Sequence, residues 1–369
     1  MEISKFSAGG LSFCAKKSKI NVMIRLNCDY SEGAHPLVLE RLAQTNMEQL
    51  PGYGQDTYCL QAADLIKELC HAPQAHVHFI SGGTQTNLTV LAALLRPYQC
   101  VLAPDTGHIN VHETGAIEIT GHRILALPHT DGKITARQIA QACEAHWQDD
   151  NPEFATQPKV VYISFPTEFG TLYSKKELYA LRRVCDENHL YLFMDGARLG
   201  YGLAAPENDV SWEDVAACCD AFYIGGTKLG ALLGEAVVLT NPKIQQDFRY
   251  IMKQRGAILA KGRILGIQFL ALLQDGLYLQ LAAHANQLAA RIRTACQEAG
   301  LKFLYDSPTN QQFPILPNAL LKKLEQTYAF AHIAPVAHNQ TAIRICTSWA
   351  TPESDVQHFI TDLKHLTEN

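Results

Sequence analysis

Tyr191-Leu192-Phe193-Met194-Asp195-Gly196-Ala197-Arg198 is the stretch on which the fold turns. Four apolar or aromatic residues run straight into a carboxylate and a glycine, the pattern of a strand buried on both faces whose last residue emerges where a parallel sheet gathers its ligands. Similar runs stand on either side, at 76–81, 100–103, 123–127, 159–165, 190–195, 221–225 and 236–239. Stretches of helical spacing at 84–95 and 175–188 separate some of them, and Ser174 with Glu177 forms a capping box at the start of the second. The expectation is an α/β domain with a mostly parallel seven-stranded sheet flanked by helices. After residue 250 the texture changes to long helices at 262–273 and 279–299, then a smaller α+β segment with strands at 302–304, 312–316 and 342–346 and helices at 319–326 and 352–367. The sequence therefore divides into an N-terminal extension (1–22), a large domain with an N-terminal arm (23–250) and a small C-terminal domain (251–369). Met23, standing before the first ordered-looking residues, is expected to be the native start.

Composition narrows the chemistry. The chain has 369 residues, 47% of them hydrophobic and 18% charged, enough to bury a core without staples. With 31 Lys and Arg against 36 Asp and Glu, and only a short Lys16-Lys17-Ser18-Lys19 cluster, a nucleic-acid partner is not expected. No stretch approaches the roughly 20 uninterrupted apolar residues that span a bilayer, so no membrane role is expected either. Eleven scattered cysteines without a C-x-x-C pair fit reduced thiols and a cytoplasmic location.

Three strand ends carry the chemical signal. The first run ends in Ser81-Gly82-Gly83-Thr84, where two glycines and a hydroxyl open a helix whose free N–H groups favour an anion. The same residues also serve as an ordinary turn and cap. Asp195 ends the 190–195 run, and Arg198 three residues on could be its purely structural partner. Lys228 follows Gly225-Gly226-Thr227 and precedes the apolar 229–234 segment, where burial would lower its pKa, unless it snorkels to the surface. Taken together, Gly82, Gly83 and Thr84 for a phosphate, Asp195 for a pyridine nitrogen and Lys228 for an imine are the parts needed to hold pyridoxal 5'-phosphate.

With these residues in view, the chain from about Leu26 onward resembles the fold type I pyridoxal-phosphate enzymes, specifically the low-specificity L-threonine aldolases of the aromatic amino acid β-eliminating lyase group. The resemblance rests on Asp195-Gly196-Ala197-Arg198, on Asn27-Cys28-Asp29-Tyr30, and on the 105–115 segment containing His108, Glu113 and Gly115. It implies that His108 stacks on the cofactor ring. It also implies that Arg263, in Arg263-Ile264-Leu265-Gly266, reaches the phosphate of a neighbouring subunit in a homodimer or homotetramer with shared sites. Arg344, on the 343–349 strand, would hold the substrate carboxylate together with Arg198. His108 and His112 could alternatively be metal ligands at helical spacing, but no H-E-x-x-H context accompanies them, and no metal is expected.

Two positions depart from the family pattern. Cys28 stands where a substrate-binding serine is usual, and Glu168 where many members carry a second active-site histidine. The base that takes the β-hydroxyl proton is therefore open between His108, Glu168 and a phosphate-held water. The resemblance implies retro-aldol cleavage of a small-molecule β-hydroxy-α-amino acid, L-threonine or L-allo-threonine, to glycine and an aldehyde. A β-eliminating or other amino-acid lyase, or a catalytically silent cofactor-binding scaffold, is the alternative.

Overall fold

The computed structural model describes residues 23–368. The proposed extension, residues 1–22, lies outside that range, and Met23 is the first residue within it. All seven anticipated runs are strands of one sheet: β1 (His76–Ile80), β2 (Gln99–Pro104), β3 (Arg123–Leu127), β4 (Gln157–Ser164), β5 (Tyr191–Asp195), β6 (Ala221–Gly225) and β7 (Glu235–Leu239). Their order across the sheet is β1-β7-β6-β5-β4-β2-β3. Every neighbouring pair is parallel except those of β7, which runs against both β1 and β6. The reversed strand brings its first residue, Glu235, to the edge where its neighbours end.

Strand alternation sorts the side chains onto two faces. Leu192, Met194, Phe222, Ile224 and Val238 pack into one hydrophobic cluster, and Val160, Tyr162, Phe193, Tyr223 and Val237 into another on the opposite face. Asp195, two residues beyond Phe193, falls on the face of Tyr162 and Tyr223. The helix Gly83–Leu94 covers that face through Val90, Leu91 and Leu94. The capping box at Ser174 is present, with the helix running Lys175–Glu187.

The C-terminal sheet is antiparallel, with Gln340–Cys346 at its centre. The single strand expected at 312–316 is two, Gln311–Gln312 and Pro314–Pro317, broken at Phe313 before a proline that cannot donate to the ladder. An additional strand, Ala331–Ala337, pairs with Gln340–Cys346; its Pro335 and exposed side chains hid it from the pattern. The N-terminal Ile24–Arg25 pairs with Tyr328–Ala329 and so joins the C-terminal unit.

Packing changes later than texture. Phe269, Leu272, Tyr278 and Ala285 belong to the large cluster, whereas Leu288, Ile292 and Cys296 belong to the small one, so the helix Leu277–Glu298 bridges both. The apolar stretch Arg263–Glu298 is long enough to cross a membrane by composition, but half of its most apolar window is buried in the fold. Left-handed backbone at Asp275 and Gly276 breaks it into two helices. The ten cysteines among the described residues are all free and buried.

Candidate active site

A cavity of about 340 Å³ opens at the ligand edge of the sheet. Its wall includes Gly82, Gly83, Thr84, His108, Glu168, Asp195, Arg198 and Lys228, eight of the residues singled out from sequence. Tyr30, Ser164, Tyr223, Thr227 and Glu235 line it as well.

Asp195 sits at the bottom, 5% exposed. Its Oδ2 accepts from Tyr162 at 2.7 Å and Asn87 Nδ2 at 3.0 Å, and its Oδ1 from Tyr223 at 2.5 Å and the Ala197 N–H at 3.0 Å. Burial alone would raise its pKa, but the His108 charge and these donors outweigh it and hold the carboxyl below its usual range. An ionised carboxylate at this point is what a pyridine nitrogen needs in order to stay protonated.

His108 opens a one-turn helix, His108–Val111, above the same cavity. Its Nδ1 is 2.7 Å from Glu113 Oε1, which also accepts from Asn87 Nδ2 at 2.7 Å. Asn87 therefore ties Asp195 and Glu113 into one network. Burial works to lower the His108 pKa, but the Glu113 bond and the charges of Asp195 and Glu168 raise it. The His108 and His112 rings lie 5.5 Å apart and are tilted by 55°, with Nδ1 of His108 committed to Glu113.

Glu168 enters from the loop after β4. Its Oε1 accepts both the Ser164 hydroxyl at 2.9 Å and the His108 N–H at 2.8 Å, leaving Oε2 outside these bonds. Its backbone carbonyl accepts from Gln311 of the C-terminal unit at 3.1 Å. Burial, followed by the Asp195 charge, raises its pKa. Burial and the neighbouring Arg198 charge lower that of Lys228.

The helix Gly83–Leu94 begins without a side-chain cap, so the N–H groups of its first turn remain for an anion. A Cβ at Gly82 would meet nothing within 4 Å, whereas one at Gly83 would come within 3.3 Å of the Tyr223 hydroxyl. Uncapped helix, ionised Asp195 and low-pKa Lys228 fit a phosphorylated pyridine aldehyde. A pyridinium N–H would compete for Asp195 with donors already present, and Tyr223, whose side chain faces the cavity, is the one placed to yield.

The remaining expected residues stand differently. Arg198 reaches the cavity wall, but its Nε and Nη2 are bound to Asp29 at 2.8 and 2.9 Å, so any grip on a carboxylate falls to the hydrogens outside that fork. Arg344 is not in the wall. Its Nη2 donates to the Asn27 carbonyl at 3.0 Å, its buried Nε has no partner, and its charge reaches His112. Cys28 is buried outside the wall, with Sγ 3.2 Å from the Ser31 hydroxyl. Arg263 lies away from this cavity, its guanidinium donating to the Glu48 and Asn46 carbonyls at 2.6 and 2.9 Å.

Fold and site together define a cofactor-dependent lyase architecture, and comparison with known proteins agrees. Residues 29–318 match the beta-eliminating lyase family, and the chain belongs to it. It is 29% identical over 346 residues to a low-specificity L-threonine aldolase of Pseudomonas sp. (strain NCIMB 10558), covering 91% of this chain and 96% of that one. It superposes on a Leishmania major threonine aldolase with a TM-score of 0.91 at 44% identity, covering 93% and 99% of the two chains. A Thermus thermophilus aspartate aminotransferase shares the fold at a TM-score of 0.67 and 16% identity, covering 93% and 91%. The resemblance read from the motifs is borne out.

Proposed function

We propose that this protein is a pyridoxal-phosphate-dependent aldolase that cleaves L-threonine or L-allo-threonine to glycine and an aldehyde. The observation that carries this reading is the convergence of Lys228, Asp195, His108 and Glu168 on one cavity beside an uncapped helix start. When bound there, the cofactor supplies an electron sink for the bond broken at the substrate Cα. The protein's residues do the rest. Gly82, Gly83 and Thr84 hold the phosphate, Asp195 the ring nitrogen, and His108 covers the ring. Lys228 offers the amine, its proton affinity lowered by burial and Arg198.

Glu168 is the base that takes the β-hydroxyl proton, on Oε2. Its raised pKa suits proton transfer near neutrality, whereas His108 is biased towards its protonated form by Glu113. The substrate carboxylate is held by Arg344, whose buried Nε lacks a partner, with help from Arg198. Cys28 is the substrate-side position that corresponds to the family's serine.

Arg263 serves the cavity of a neighbouring subunit in a homodimer or homotetramer. In support, it lies outside its own cavity, and the surrounding surface exposes Met47, Tyr53 and Leu60, apolar side chains of the kind interfaces cover. Ten buried free thiols support a cytoplasmic location, and the change of texture near residue 250 supports the two-domain division. Reconstitution with pyridoxal phosphate, borohydride reduction and peptide mapping tests the cofactor assignment: the label belongs on Lys228, and a label elsewhere, or none, contradicts it.

A further inference from the structure

Glu235 has no part in the steps above, yet it is 4% exposed and stands in the cavity wall beside Lys228. It is the first residue of β7, paired across the ladder with Gly225. Both of its oxygens are fastened to the turn that carries Lys228. Oε2 accepts the Gly226 N–H at 3.1 Å and Oε1 the Thr227 hydroxyl at 3.1 Å, while Thr227 Oγ1 accepts the Gly234 N–H at 3.1 Å. A glutamine could accept only one of these bonds and would turn its amide N–H2 towards the other, so the two contacts call for a carboxyl, whose burial is costly unless a cation answers it.

The charged groups that act on Lys228 are Arg198, Asp29, Asp195 and Glu235. Asp29 is paired with Arg198, and Asp195 is saturated by four donors and answered by His108. Glu235 has neither an arginine fork nor four donors: it accepts two hydrogen bonds, from the Gly226 N–H and the Thr227 hydroxyl, and the cation acting on it is Lys228. Burial pushes its pKa up to about 8 although the Lys228 charge draws it down, as expected for two groups sharing a proton.

We propose that Glu235 is the counter-charge and positioning residue of Lys228, holding the proton on the lysine nitrogen both as ammonium and after that nitrogen condenses with the aldehyde of pyridoxal phosphate. The second half rests on the cofactor assignment made above. In the condensation, the ammonium gives two hydrogens to the departing water and keeps the third on nitrogen, so the positive charge persists and faces Glu235. The carboxylate also fixes the Gly226–Thr227 backbone from which Lys228 projects.

The test is a pH titration of the visible chromophore in wild type, E235Q and E235D reconstituted with pyridoxal phosphate. The midpoint for loss of the nitrogen proton falls by about one pH unit in E235Q, a tenfold loss of proton affinity, and falls by less in E235D, which keeps the charge. An E235Q midpoint equal to or above wild type overturns the proposal. Should E235Q fail to fold, the E235D midpoint decides between a drop and no change. A wild-type protein that forms no chromophore overturns the cofactor assignment instead and removes this inference with it, so the two failures are distinct.

Discussion

Asp29 and Arg198, 169 residues apart in sequence, meet as a bidentate pair, with Nε and Nη2 of the arginine 2.8 and 2.9 Å from the two carboxylate oxygens. Asn310 adds a third donor at 3.0 Å, so the pair links the N-terminal arm, the loop after β5 and the C-terminal unit. Burial opposes the Asp29 charge, but Arg198 prevails and holds the carboxyl at about 2.

Replacing Asp29 leaves a buried guanidinium unpaired, a loss of about 3–5 kcal/mol at neutral pH. Because the folded-state pKa lies below the unfolded one, the stabilisation is fully present above the ordinary carboxylate range and fades as pH falls through about 2. Urea unfolding at a series of pH values should therefore show D29N well below wild type at neutrality, with the gap closing in acid. Equal stability at neutral pH would contradict the pairing.

Glu168 is assigned the proton of the substrate hydroxyl. E168Q should lower kcat by about 10²–10⁴-fold with little change in KM. In wild type, activity should fall as pH drops through the raised Glu168 pKa, because the base becomes protonated. That acid limb should be missing from the residual activity of E168Q; a limb that survives the substitution points to His108 or water.

Glu113 supports the charged form of His108 against burial. E113Q should lower the His108 titration midpoint by about one unit, read from its ring resonances by NMR. Since the folded-state value is raised, the pair's contribution to stability is present below the usual histidine range and is lost as pH rises through the folded value. An unchanged midpoint would show that the 2.7 Å contact carries no charge stabilisation.

Arg344 should act on substrate and leave the cofactor alone. R344A is expected to raise KM for the amino acid roughly thirtyfold, about 2 kcal/mol for a charge-assisted hydrogen bond, while the chromophore spectrum stays that of wild type. A loss of chromophore with KM unaltered would move the residue to the cofactor side.

Much of the sheet was legible because its strands are buried on both faces and read as continuous apolar runs ending in polar residues, as Phe193 through Asp195 shows. Strand ends located Gly82, Gly83, Thr84, Asp195 and Lys228 for the same reason, whereas His108 came from the family resemblance. Glu235 escaped because β7 runs backwards, so its useful residue is at its start. The Arg198–Asp29 pair escaped because local spacing offered Asp195 as the partner, whereas the true one arrives through tertiary contact. Tyr162 and Tyr223 lie within apolar strand runs, and only the two-residue alternation that puts them on the Asp195 face reveals their hydroxyls as donors.

The central claim is the retro-aldol reaction itself. Protein reconstituted with pyridoxal phosphate and supplied with L-threonine and L-allo-threonine should release glycine and acetaldehyde in equal amounts, and K228A should release neither. Ammonia with a 2-oxo acid as the products, or no turnover of either amino acid by protein that carries the chromophore, would contradict the account.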